Sequence, residues 1–234
     1  MSDSDIRARL AAVRERISLA ADRARRDPAS ILLVAVSKTF PADDVRAAAD
    51  AGQRDFGENK VQEGLAKMEA LRDLRLSWHL IGHLQSNKAK KAAQHFSIIQ
   101  SVDSLALLRK INEAAGEANR RTDVLIQLDL AGEATKFGLP LPDARALVDA
   151  AIACNAVQLR GLMIIPPGTA DPNDARPYFS ALRRIRDELV AGGVSQHHLR
   201  DLSMGMSHDF EVAIEEGATI IRVGSAIFGE RAYV

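Results

Sequence analysis

A chain of 234 residues is long enough to bury a large core, and it falls in the range where an α/β barrel forms one domain. Its 31 Lys plus Arg equal its 31 Asp plus Glu, so the global charge signature of a nucleic-acid or membrane-surface protein is missing and a small-molecule partner is expected. No apolar run is long enough to span a bilayer and Ser2-Asp3-Ser4-Asp5 does not open a secretory signal, which predicts a cytoplasmic protein.

Residues 5–25 read as an amphipathic helix, with Ile6, Leu10, Val13, Ile17 and Ala20 or Ala21 on one face and arginines on the other. Asp27-Pro28 is expected to end it. Short β-branched or apolar runs then alternate eight times with alanine-rich helical stretches, the pattern of parallel βα units. Strands are predicted at Leu32–Ser37, Arg54–Gly57, Ser77–Ile81, Ser97–Gln100, Val124–Asp129, Gln158–Ile164, Arg200–Ser203 and Thr219–Val223. Connections this brief predict a closed (β/α)8 barrel as a single domain over 1–234, with the first helix as an extra, because closure leaves no exposed edge strand. An open doubly wound sheet is the alternative. Cys154, the only cysteine, excludes an intrachain disulfide and a cysteine-based metal cluster, and is expected to be small, buried and inert. Pro166-Pro167-Gly168 through Pro172 reads as a long loop on the functional rim.

Barrels place their chemistry at the C-terminal ends of the strands. Alternation along the first strand puts Lys38 on the same side as Val34 and Val36, so if the valines fill the barrel, Lys38 does too. A lysine in an apolar interior must be paired, discharged or covalently engaged, and a lowered pKa makes it a nucleophile towards aldehydes. The bland reading ends the strand one residue earlier, with Lys38 in solvent. In the last strand Ile220 and Arg222 share a face, which turns a permanently charged guanidinium inward, where it needs an acceptor; a rim carboxylate such as Glu58 or Asp129 would serve. The glycine-rich turns Ser203-Met204-Gly205-Met206-Ser207 and Gly224-Ser225 follow strands seven and eight, the usual phosphate position in barrels, although Ser207 could equally be a helix cap.

Other polar residues carry weaker signals. Asn59 could bind a ligand oxygen or cap the helix it precedes. His79 and His83 lie too far apart along a strand to chelate one metal, which argues against zinc. His197, His198 and His208 read as surface or hydrogen-bonded loop residues, and Lys88, Lys90 and Lys91 as a solvated helix face. There is no Walker loop, no GxGxxG after a strand and no GxSxG elbow.

Taken together, Ala35-Val36-Ser37-Lys38-Thr39, Phe56-Gly57-Glu58-Asn59, Trp78-His79-Leu80-Ile81-Gly82, Leu84-Gln85-Ser86-Asn87-Lys88, Gly161-Leu162-Met163, Leu202-Ser203-Met204-Gly205-Met206-Ser207 and Arg222-Val223-Gly224-Ser225-Ala226-Ile227-Phe228-Gly229 make the sequence resemble the pyridoxal phosphate homeostasis protein family (YggS/PROSC-like). The resemblance covers about residues 30 to 230. It implies a fold-type III pyridoxal 5′-phosphate (PLP) barrel like the N-terminal domain of alanine racemase, with a Schiff base on Lys38. It also implies that Ser207, Gly224 and Ser225 hold the phosphate, that Met206 belongs to the cofactor-binding set, that Arg222 faces the pyridine nitrogen, and that Asn59 and His79 lie near the ring. One departure is Gln127-Leu128-Asp129, where the family usually has Gln-Val-Asn; Asp129 could pair with Arg222 or repel phosphate. Glu133, Lys136 and Gly138 match the loop that follows.

The implied function is binding, buffering and delivery of PLP to apo-enzymes that require it, by a monomer that is not an enzyme. No nucleic acid and no membrane takes part. Lys136 and Lys88 are candidates for a second PLP-accepting lysine. The competing reading is a PLP-dependent amino-acid racemase or lyase; it requires a second acid/base, for which the sequence offers His79 and Tyr178, with Tyr233 the only other tyrosine.

Overall fold

A computed structural model describes residues 3–132 and 137–230. Its strands are β1 (Leu32–Val36), β2 (Asp55–Glu58), β3 (Ser77–Leu80), β4 (Ile98–Val102), β5 (Thr122–Asp129), β6 (Leu139–Pro140), β7 (Val157–Met163), β8 (Asp201–Ser203) and β9 (Ile220–Val223). All pairs are parallel, in the order β4-β3-β2-β1-β9-β8-β7-β5, and β4 pairs with β5 to close an eight-stranded barrel. The two-residue β6 only extends the end of β5. The open-sheet alternative is thereby excluded.

The predicted helix 5–25 is α1 (Asp3–Arg23), and its end is set earlier than Asp27-Pro28. Arg25 is left-handed at φ 55°, and the Arg26 N–H reaches back to the Ala21 carbonyl at 2.9 Å, a Schellman-type stop. Ile6, Leu10, Val13, Ile17, Ala20 and Ala21 form its buried face. The outer layer is completed by α2 (Ala42–Asp50), α3 (Val61–Ala70), α4 (Ala89–His95), α5 (Leu105–Glu117), α6 (Ala144–Ile152), α7 (Arg176–Ala191), α8 (Phe210–Glu215) and α9 (Ser225–Phe228). Helix α1 packs on α8, α2 and α9, where Arg16 lies 4.5 Å over the Phe210 ring and pairs with Glu211 at 2.6 Å.

Most of the apolar core lies between barrel and helices, around Phe56, Phe96, Phe179, Phe210 and Phe228. Burying each such side chain contributes roughly 1.5–3 kcal/mol. Inside the barrel the composition changes: Val34, Leu125, Met163 and Ile220 form a small apolar cluster. Around it His79, Gln100, Gln127, Ser203 and Arg222 are buried polar groups. A Cβ on Gly161 would lie 1.8 Å from the Asp201 carbonyl oxygen, so only glycine lets β7 and β8 meet there. Next to it a register shift between β5 and β7 skips Arg160, which pairs with Asp123 at 2.9 Å and Asp201 at 2.8 Å. Cys154 is half-buried rather than fully buried, its Sγ 3.3 Å from the Ala150 carbonyl.

Candidate functional site

At the C-terminal ends of the barrel strands lies a cavity of about 530 Å³. Lys38, Asn59, Met206, Ser207, Arg222, Gly224 and Ser225 all line it, so seven of the eight residues expected from the sequence meet in one place. Val34 packs in the barrel interior, and two residues on Val36 lines the cavity, as does the half-buried Lys38 two residues further.

The turn that carries Lys38 is held from both flanks. Ser37 Oγ donates to Glu58 Oε1 at 2.6 Å, and Lys67 Nζ donates to the Ser37 carbonyl at 2.7 Å and to the same Glu58 oxygen at 2.7 Å. On the other flank Thr39 is left-handed at φ 71°, a strained conformation for a β-branched residue that costs roughly 1–3 kcal/mol. Its N–H donates to Glu63 Oε1 at 2.5 Å, and that oxygen also accepts from Lys67 at 2.8 Å. Lys67 thus joins a strand-end carboxylate to a helix carboxylate beneath Lys38. Burial pushes the Glu58 carboxyl up, and hydrogen bonds from Lys67 and Ser37 oppose the shift without reversing it. Its Oε2 is buried with no hydrogen-bond partner.

Across the cavity, the Arg222 guanidinium is buried. Its partners are Ser203 Oγ at 2.6 Å and the Ile164 carbonyl at 2.8 Å, not the expected Glu58 or Asp129. Glu58 is committed to Lys67 and Ser37, and Asp129 Oδ1 accepts the Ala131 and Gly132 N–H groups at 3.0 Å each. Burial lowers Arg222 to about 10, partly opposed by the charge of Asp209, so it stays protonated at neutral pH. Ser207 Oγ accepts from Gly224 N at 3.0 Å and Ala226 N at 3.3 Å, which laces the two small-residue turns together. A Cβ on Gly224 would come within 3.2 Å of the Val36 carbonyl oxygen, so this turn lies close against β1.

His79 is the exception. It does not line the cavity; it is buried at mid-strand, hydrogen-bonded to Asp55 at 3.1 Å and Gln100 at 2.9 Å. Several lining residues were not singled out from sequence, among them Phe40, Phe137 and Ile165; Gln127, read there only as part of the strand-five motif, also lines the cavity. His83 lies on the wall, stacked on Phe137 at 3.7 Å between centroids and 3.3 Å from Asp103. His208, read as a loop residue, also lines the cavity, with Nε2 at 3.1 Å from the Ala170 carbonyl. Tyr178 packs against the outer core and does not line the cavity. Glu133, Lys136 and Tyr233 lie outside the described residues.

The family model described as "Alanine racemase, N-terminal domain" matches residues 8–232. Pyridoxal phosphate homeostasis proteins match over nearly full length: that of Aquifex aeolicus is 46% identical, covering 96% of this chain and 98% of the relative. That of Pseudomonas aeruginosa is 45% identical, covering 98% and 97%. The chain belongs to the pyridoxal phosphate homeostasis protein family. The solved structure of PipY of Synechococcus elongatus superposes with a TM-score of 0.86 at 43% identity, over 96% of this chain and all of PipY, both without and with PLP bound. Alanine racemase of Clostridium difficile shares the fold, with a TM-score of 0.73 at 14% identity, and this chain covers 58% of it.

Proposed function

We propose that this chain binds PLP on Lys38 and works as a cytoplasmic, monomeric carrier that masks, buffers and releases the cofactor to apo-enzymes that need it. The observation that carries the reading is convergence: a primary amine, a buried guanidinium and a pair of laced glycine-serine turns face one cavity of about 530 Å³. That donor set fits an aldehyde with a phosphate tail and a basic ring nitrogen. Family membership and the PLP-bound PipY support it.

When bound, PLP supplies an aldehyde carbon with which a primary amine condenses reversibly, releasing water. Lys38 offers that amine from a turn whose flanking residues are fixed by Glu58, Lys67 and Glu63. Ser207 and Ser225 would offer hydroxyl groups to the phosphate, Gly224 keeps the turn small enough for its approach, and Asn59 and Met206 complete the walls. Arg222, which lines the cavity and stays protonated, would donate a hydrogen bond to the ring nitrogen rather than a full proton, a pairing that would make PLP a poorer electron sink and favour carriage over turnover. The imidazole and phenol groups weighed for the racemase or lyase alternative, His79 and Tyr178, do not line the cavity, whereas His83 and His208 do, so the amino-acid assay below discriminates the two readings.

The test is the absorption spectrum of purified protein with PLP, before and after borohydride, with peptide mapping, in wild type and Lys38→Ala. The expected result is a borohydride-stable adduct on Lys38 that the variant lacks; no adduct in wild type overturns the reading. Amino-acid racemisation that disappears in Lys38→Ala would replace the carrier with an enzyme.

A further inference from the structure

Inside the barrel, a single file of hydrogen bonds runs from the cavity to the N-terminal end of the strands. Arg222 Nη1 meets Ser203 Oγ at 2.6 Å, Ser203 Oγ meets Gln100 Oε1 at 2.6 Å, Gln100 Nε2 meets His79 Nδ1 at 2.9 Å, and His79 Nε2 meets Asp55 Oδ1 at 3.1 Å. Ser203, Gln100 and His79 are fully buried and Arg222 is 3% exposed, so water does not compete along this stretch. At the far end Asp55, with 23% of its side chain exposed, reaches solvent.

The donor chemistry gives the file one direction. A guanidinium has no acceptor, so Ser203 Oγ must receive from Arg222 and can pass its own proton only to Gln100 Oε1. The other end of the amide is then a donor, so His79 Nδ1 must accept and the imidazole proton resides on Nε2, pointing at Asp55. Turning the amide over would aim two donors at Ser203 Oγ and leave its hydroxyl proton without an acceptor in the file. Each link therefore fixes the next.

We infer that Ser203, Gln100, His79 and Asp55 are positioning residues that fix the Arg222 guanidinium and its free donor edge towards the bound ring. This deepens the PLP reading and rests on it. A carboxylate ligand of Arg222 could have paired with it directly and competed with the cavity for its protons. A neutral hydroxyl relayed to a distant carboxylate orients the guanidinium without masking its charge.

Two arms test this. In ¹⁵N-histidine-labelled protein without PLP, His79 is expected to show a pyridine-like Nδ1 and a pyrrole-like Nε2; a proton on Nδ1 overturns the inferred direction. In the second arm, wild type, Ser203→Ala, Gln100→Leu and Gln100→Glu are compared for PLP affinity, the absorption maximum of the bound cofactor and thermal midpoint. Ser203→Ala and Gln100→Leu are expected to weaken PLP binding about tenfold and to shift the absorption band. Gln100→Glu still accepts from Ser203, and its second oxygen accepts from a His79 that now carries both protons. It should restore band and affinity to within about twofold of wild type, even where thermal midpoints fall alike in the two Gln100 variants. Unchanged band and affinity in Ser203→Ala and Gln100→Leu overturn the inference. Absence of a wild-type adduct on Lys38 overturns the PLP reading instead, and the NMR arm still decides the direction of the file.

Discussion

The two functional walls of the cavity are held from behind in opposite ways. Beneath Lys38 the support is ionic and lies at the top of the barrel wall: Lys67 Nζ lies 2.7 Å from Glu58 and 2.8 Å from Glu63, and the three groups grip both neighbours of Lys38. Beneath Arg222 the support is a file of neutral groups inside the barrel, ending on Asp55. The difference follows from what each wall must present. On the proposed reading Lys38 must be held in place, and the charges of Glu58, Glu63 and Lys67 hold the turn through its neighbours Ser37 and Thr39. Arg222 must keep its charge directed at the cavity, so its partners accept hydrogen bonds without neutralising it. A buried ion pair is costly to half-remove, whereas a neutral file loses orientation before it loses stability.

The largest effect expected from this contrast is on Lys67. Lys67→Met leaves Glu58 buried with neither charge partner nor full hydrogen bonding, which should cost about 3–5 kcal/mol in urea unfolding. Adding Glu58→Gln should recover most of that loss, because the orphaned charge is then gone. If the single variant costs less than about 1 kcal/mol, the wall behind Lys38 is not ionic in the sense described and the contrast between the walls collapses.

A smaller effect concerns Glu63 and carries a definite sign. Burial alone would raise its carboxyl, but hydrogen bonds from Lys67 and the Thr39 N–H outweigh it and hold the folded value below the ordinary 4.5. A depressed carboxylate contributes stability above its unfolded value and loses it as pH falls through the folded value. Wild type should therefore exceed Glu63→Gln in unfolding free energy at neutral pH, by at most about 1 kcal/mol because the group is partly solvated. That gap should close on acidification below 4.5. A gap of constant size at both pH values would show that Glu63 acts by shape and hydrogen bonding rather than by charge.

How much of this contrast can be read from the sequence depends on what each residue's position encodes. Alternation along one strand fixes which face a side chain takes, and that suffices for Lys38 behind Val34 and Val36 and for Arg222 behind Ile220. It does not fix height within the barrel, which is set by the stagger of eight strands against one another. His79 faces the interior, yet it lies mid-strand below the cavity, and a sequence resemblance places it near the ring without showing that difference. The Glu63–Lys67 pair is visible as an i, i+4 spacing on a helix. That its lysine turns in to meet a strand-end glutamate is a product of helix docking, and nothing local in the sequence announces it. His83 and His208 lie past the ends of their strands, where alternation no longer applies, and so their places on the cavity wall had no readable signal.

The smallest expected effect concerns Asp129, which the sequence resemblance marks as a departure. Asp129 ends β5 with Oδ1 bonded to two successive backbone N–H groups, Ala131 and Gly132, and it does not line the cavity. An asparagine oxygen accepts the same two bonds, so Asp129→Asn removes a charge and leaves the turn intact. With Arg222 already committed to Ser203 and Ile164, no direct pair is lost. PLP affinity, measured by absorbance titration, should change by less than about twofold, in line with the small effects of substitutions that break no contact. A gain of tenfold or more in Asp129→Asn would mean that the carboxylate acts on the bound phosphate through space. The Lys38 wall would then not be the only side of this cavity shaped by charge.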